Sequence, residues 1–463
     1  MFDQSKAHDV FDRIKKHSTA DDVEVLIVGG RNALTRFANN TITQNVAEEN
    51  YEISVRTVVD GRTARATTNK FDDESLRRVV QASERLAKVQ DADPDLLPIV
   101  TVAEATGGNA PAAIPSRHFA RTVAVGPQER ASGVESMVAV AHKHGHTSAG
   151  VYAVSEHVEA LLNSRGVSAW HTQSHAEVSV TMLARDSSGW QKSNSPDVDQ
   201  IDPARLAEVA AEKASSSAGP KEIPPGKYTV IFEPSAVQDI VGFMFWDFSG
   251  LSLLDQRSFL TDRVGKKLFG DNISVYDDVY HPLQSGAPFD GEGVRRARVE
   301  LIRNGVVRNL VYSRGSAARM CKTELAAQAG DVRATGHGFP LPNEMGEAPL
   351  NIVFAGDGAA KSVDQMVAET ERGILVTRLW YIREVDPYEK IVTGMTRDGT
   401  FLVENGKVRN GLLNFRFNQS LPEMLSNVEA MGEPVRASGE ESFDMVVPAM
   451  KVRDFNFTEV TKF

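Results

Sequence analysis

The chain has 463 residues, 41% hydrophobic and 24% charged, with a net charge of −11 and one cysteine, Cys321. That is an ordinary globular composition with length for two or three domains of roughly 150 residues, and one thiol excludes a disulfide framework, a Cys-rich zinc module and an iron–sulfur cluster. The acidic balance speaks against a dedicated nucleic-acid binder; with no run of ~18 apolar residues and no apolar segment in Met1 to Lys6, neither a membrane span nor a secretory signal is expected, and the expected location is the cytoplasm.

The first predicted element is a helix with Ser5 as N-cap and Val10, Phe11 and Ile14 on one face. Val23, Val25 and Ile27 alternate as a strand that Gly29-Gly30 is expected to end in a turn. Tyr51, Ile53 and Val55 begin another strand, which runs to Asp60-Gly61. Asp-Gly between β-prone stretches predicts a type I′ hairpin, with a partner strand from Arg62 to Thr68. A helix capped by Asp72 or Asp73 follows, with Leu76, Val79, Val80, Ser83, Leu86 and Ala87 on its inner face. Residues 91–117, rich in Pro, Ala and Gly, read as an irregular connection.

Pro127 to His142 reads as a second amphipathic helix, with Val134, Met137, Val138 and Ala141 inward. Alternating strands run from Val151 to Asp186, turning at Asn163-Ser164-Arg165-Gly166. Asp202-Pro203 starts a further helix. Ser215 to Pro220 and Pro224-Pro225-Gly226 form the best domain boundary. Beyond it, Tyr228 to Phe232 opens a mainly β region. There Leu301 to Asn309 and Leu402 to Asn410 echo each other as strand, Asn-Gly turn, strand, either as a duplication or as two convergent hairpins. The expected fold is α+β: a mixed α/β N-terminal domain with antiparallel strands over residues 1–219, and a β-rich C-terminal domain over residues 220–463.

Few motifs carry chemistry. His142, His144 and His146 fall within five residues and could hold zinc if a loop folded around it. The preferred reading is a solvated helix end, where cations suit the dipole. His171 and His175 sit in a strand context, which places them ~13 Å apart, too far to share an ion. Asp277-Asp278 with Asp290 and Glu292 could be an acid–base or hard-cation site, or acidic turns that tie down loop amides. Cys321 reads as a buried apolar thiol rather than a nucleophile. The Gly-rich Ala355-Gly356-Asp357-Gly358 matches no phosphate-binding signature, and no HExxH or GxSxG occurs.

The order of segments nevertheless resembles a family. Arg36 to Asn45, Gly61-Arg62, Ala66 to Asn69 leading into Phe71-Asp72, and Asn163-Ser164-Arg165-Gly166 are similar to successive blocks of the TldD/PmbA proteins, once called modulators of DNA gyrase. Arg257 to Leu260, Val264-Gly265, Asp277-Asp278, Phe289 to Gly293, Leu301 to Asn309, Thr335-Gly336 and Gly373 to Val376 resemble the PmbA/TldE branch. The resemblance runs nearly end to end.

It implies the following. TldD-type subunits hold a metal through a helical HExxxH and a Cys near the C-terminus. Here the corresponding window, Val237 to Phe248, contains no His, and Met431 to Phe463 contains no Cys. The chain therefore looks like the partner subunit, with no cofactor of its own. Zinc or iron is expected in a TldD-like, HExxxH-bearing subunit with which it forms a heterodimer or larger assembly. The substrate would be unfolded peptide, taken as an added strand, or a small amide, without direct nucleic-acid or membrane contact. Cleft candidates are Phe243 and Trp246 from the apolar window, and Asp290, Glu292 and Gly293. The other readings are a stand-alone regulatory or binding protein, homodimeric and without peptidase activity, and a metal hydrolase built on the His142–His146 cluster or the carboxylates.

Overall fold

The computed structural model describes residues 2–107, 113–356 and 359–461. The Asp357-Gly358 end of the Gly-rich stretch lies outside them. Helix α1 (Gln4–His17) buries Val10, Phe11 and Ile14 as expected. Its cap is Asp3, whose carboxylate accepts from the Lys6 N–H at 2.9 Å, rather than Ser5. A carboxylate suits the positive end of the helix better than a hydroxyl.

Strand β1 (Asp22–Ala38) passes straight through Gly29-Gly30, so the turn expected there is corrected. The glycines serve close approach instead. A Cβ at Gly30 would lie 1.8 Å from the Glu156 carbonyl oxygen, and one at Gly29 would lie 2.2 Å from that of Asn50. The chain reverses at Asn39-Asn40, both at positive φ, a conformation Asn tolerates by local hydrogen bonding. Asn40 also accepts from the Ser148 N–H at 2.6 Å and donates to the His146 carbonyl.

Strands β2 (Thr41–Val59) and β3 (Arg62–Thr68) meet at Asp60-Gly61, both at positive φ, as the Asp-Gly signal predicts. Helix α2 (Asp73–Val89) is capped by Asp72 and buries Leu76, Val79, Val80, Ser83 and Ala87, while Leu86 faces solvent. Short helices α3 (Val102–Thr106) and α4 (Ala120–Val123) interrupt the irregular connection. Then come α5 (Pro127–His144), β4 (Thr147–Asn163), β5 (Ser168–Leu183), β6 (Ser188–Ser195) and α6 (Pro203–Ser216). The six strands form one antiparallel sheet in the order β3-β2-β1-β4-β5-β6. Helices α1 and α2 cover one end of one face through Ile14, Ile27, Ile53 and Val80. Helices α5 and α6 cover the other end through Met137, Val178 and Ala211.

After Gly219 the chain builds two further sheets. Strand β7 (Gly226–Phe232) lies inside a nine-stranded one, antiparallel to Met450–Val460 and parallel to Arg372–Val376. A six-stranded sheet of short strands includes Val275–Asp277, Val299–Arg303 and Ile352–Phe354. Helix α7 (Pro234–Phe245) leaves β7 directly and is buried in the largest core with Phe354 of one sheet and Phe455 of the other. The two echoing segments are hairpins with Asn304-Gly305 and Asn405-Gly406 turns, placed in different sheets. The fold is α+β, with helices and antiparallel strands before residue 219 and a sheet-rich remainder.

Candidate functional site

The N-terminal sheet is covered on its second face as well. Leu26 of β1 and Leu161 of β4 pack there against Phe289 and Val294. Beside this contact lies a cavity of about 410 Å³, lined by Glu159 of β4 and by residues of three C-terminal segments, among them Asp290, Arg296, His337, Phe339, Asn351 and Phe443.

Asp277, at the end of its strand, anchors one wall. It accepts from His337 Nε2 at 2.9 Å and from the Asn351 N–H at 2.8 Å, and Arg296 Nη2 stands 3.7 Å away. Burial alone would raise its pKa, but His337, Arg296 and these hydrogen bonds outweigh it and hold the carboxyl below its ordinary range. Burial lowers the His337 pKa, against the pull of Asp277. With Asp277 ionised, Nε2 carries the ring proton.

Asp290 closes the next loop. Its Oδ1 accepts from the N–H groups of Glu292 and Val294, both at 2.9 Å, and its Oδ2 accepts from the Gly338 N–H at 2.8 Å. Glu292 lies behind it and accepts from the Arg314 N–H at 3.2 Å. Burial raises both carboxyls, helped at Asp290 by the neighbouring Glu292 and opposed at Glu292 by Arg314. Gly293 sits at positive φ over Leu161, where a Cβ would come within 2.8 Å. Glu159 is pushed up to about 7 by burial, with Arg296 pulling weakly the other way.

The five cleft candidates therefore divide. Asp290 lines the cavity. Trp246 is exposed and stacks on Phe339 of the cavity wall, centroids 6.5 Å apart. Glu292 and Gly293 support the loop from behind. Phe243 lies on α7 and packs against the C-terminal core. Glu159, Arg296 and His337 were not singled out from the sequence. The available signal was consecutive burial in strands, Leu161 beside Leu162, which only a sheet covered on both faces requires. Thr335-Gly336-His337-Gly338 offered a second, a histidine between glycines.

On α7, Gln238 and Asp239 are fully buried polar residues. Gln238 donates to the carbonyls of Ser442 and Phe443, and Asp239 accepts from the N–H groups of Glu440 and Glu441. The C-terminal segment thus closes over the helix by backbone contacts. These side chains do not fit a zinc or iron ion: one carboxylate committed to amides and one carboxamide make no ligand set. Among the described residues no group of three His, Cys, Asp or Glu is arranged to hold a metal.

The remaining motifs are placed as follows. His144 and Lys143 pair with Glu208 of α6 at 2.9 and 2.7 Å, and His146 contacts Ser215, as a helix end does. His171 and His175 lie on β5, and burial depresses His171 to about 4. Cys321 is exposed at the end of the helix Arg314–Met320, which corrects the expected buried thiol. No helix among the described residues is long and apolar enough to cross a membrane.

The overall architecture is shared with known proteins. Three family models match the chain: PmbA/TldA metallopeptidase domain 1 over residues 23–87, the central domain over 124–218 and the C-terminal domain over 225–459. The chain belongs to the PmbA/TldD family. It is similar to the metalloprotease PmbA of Escherichia coli O157:H7, 23% identical over 405 residues covering 84% of this chain and 83% of that protein. It shares its fold with TldE from Thermococcus kodakarensis, at a TM-score of 0.84 and 18% identity over 98% of this chain and 100% of that one. A Thermotoga maritima protein described as a candidate modulator of a DNA gyrase gives a TM-score of 0.83 at 19% identity, with 98% and 100% covered.

Proposed function

We propose that this chain is a cytoplasmic, non-catalytic TldE/PmbA-like subunit with no metal site of its own. It pairs with a TldD-like, HExxxH-bearing subunit that holds zinc or iron, and it helps to form the cleft in which unfolded peptide or a small amide is hydrolysed. The observation that carries this reading is α7. The helix that would present two imidazoles carries Gln238, Asp239 and apolar residues, and the segment around residues 440–443 is bonded onto it. Likeness to proteins named metalloprotease PmbA and TldE supports the setting.

The test is purification of the chain alone and with a TldD-type partner, followed by metal analysis and casein or peptide cleavage. The chain alone is expected to hold no stoichiometric metal and to cleave nothing, while the pair co-elutes and cleaves. Tightly bound zinc or iron with cleavage by this chain alone overturns the reading. Failure to co-elute returns the chain to the stand-alone regulatory role.

A further inference from the structure

Arg296 makes no side-chain hydrogen bond among the described residues. Its side chain is 11% accessible, and its nearest carboxylate, Asp277, is 3.7 Å away and already bonded to His337 and Asn351. Nε and Nη2 are buried without a hydrogen-bond partner. The neighbouring buried Arg117 also leaves Nε without a hydrogen bond, but its other two nitrogens donate to the carbonyls of Gly286 and Val279. Guanidinium nitrogens removed from water without hydrogen bonds are costly, and a ligand group that accepts from them removes the cost.

Three further facts describe that ligand. Arg296 lines a cavity of about 410 Å³, which falls in the range of small-molecule sites. Phe289, Phe339 and Phe443 share the lining, so much of the wall is apolar. Glu159, Asp290 and Asp444 share it too, and these carboxyls disfavour a dianionic phosphate over a single negative charge. The planar guanidinium fork matches a carboxylate in two parallel hydrogen bonds.

We propose that this cavity binds the carboxylate of a small apolar acid, either a free acylated amino acid or the C-terminal end of a peptide. Arg296 takes the carboxylate and the phenylalanines take the apolar part. The site belongs to this chain and is independent of the subunit pairing proposed above. Its test uses this chain alone and no turnover, so its failure leaves the pairing untouched.

The experiment is calorimetric titration of the full chain with N-acetyl-phenylalanine, with its amide, and with a tetrapeptide ending in phenylalanine as free acid or amide. Each acid that binds is expected to bind at least tenfold tighter than its amide. Arg296→Gln is expected to reduce that acid to the affinity of its amide, and Arg296→Lys to restore part of the difference. Binding of the peptide acid alone identifies a peptide end as the ligand, and binding of the free acid identifies a small molecule. Equal affinity for acid and amide, or no binding of either acid at millimolar concentration, overturns the proposal. Because the acid–amide comparison is made on the unaltered chain, it decides the matter even if an Arg296 variant fails to fold.

Discussion

At the scale of single residues, charge burial is the organising cost. Asp239 illustrates it. Its Oδ1 accepts two backbone N–H groups, its Oδ2 is buried with no partner, and burial pushes its pKa up to about 7. In the unfolded chain the same carboxyl titrates near 3.8. Between those values the folded state binds more protons, so this contribution to stability is largest at low pH and is lost as pH rises through 7. Asp239→Asn keeps an oxygen for the two amides and removes the buried charge. It is expected to stabilise the chain by roughly 3–4 kcal/mol at pH 8.5 and by only about 1–2 kcal/mol at pH 5. Urea unfolding at the two pH values measures this, and equal gains at both would show that shape rather than charge decides. None of it was legible in the sequence, where Asp239 is one acidic residue in an apolar window. Its cost comes from a segment two hundred residues further on.

Whole elements were easier to read, because their signals are local. The Asp60-Gly61 hairpin, the Asp72 and Asp202 caps and the strand from Arg62 to Thr68 follow from backbone chemistry within a few residues. Gly29-Gly30 misled because the reason for those glycines is across the sheet, at Asn50 and Glu156. The same contrast separates the Asx-Gly turns. Gly61 has φ +71 with nothing within 4 Å of an added Cβ, whereas at Gly305, with φ +77, that Cβ would lie 2.2 Å from the Phe269 carbonyl oxygen. Gly61→Ala should therefore cost only the left-handed backbone penalty, roughly 1–2 kcal/mol. Gly305→Ala adds a clash with a backbone that is itself bonded to the turn through the Phe269 N–H, and should cost roughly 2–4 kcal/mol. Chemical denaturation of the two variants compares them directly. Similar losses would mean that the Phe269 loop yields, and the turn would then be a pliable edge rather than a fixed one.

At the scale of the whole molecule the main cores are separate. The large C-terminal core contains only residues from Val230 onward, and the two main N-terminal cores contain none beyond Ala214. One small cluster, with Leu26 and Leu161 against Phe289 and Val294, is shared. This junction could not be read from the sequence, since no local pattern says which loop covers a second sheet face, and the cavity lies at that junction. Polar contacts complete it. Arg436 bonds Asn194 of β6, the Leu283 carbonyl at 2.9 Å and Asp444 at 2.9 Å, while Arg65 of β3 bonds Glu24 at 2.6 Å and the Leu341 carbonyl at 2.7 Å. Separate cores joined by a modest interface unfold together only while the interface free energy couples them. Replacing both arginines, Arg65→Ala with Arg436→Ala, strands Glu24 and Asp444 without these partners and removes the bonds to both loops. Calorimetry of the double variant should show the single heat-absorption peak of the unaltered chain dividing into two, the lower one shifted down by several degrees. The acid-binding cavity between the halves should loosen with it, so that N-acetyl-phenylalanine no longer raises the lower midpoint. A single undivided peak at the original temperature would show that the contacts left in place, the shared apolar cluster and bonds such as those of Arg117 to Gly286 and Lys213 to Glu233, couple the halves, and that these two arginines only orient the loops around the cavity.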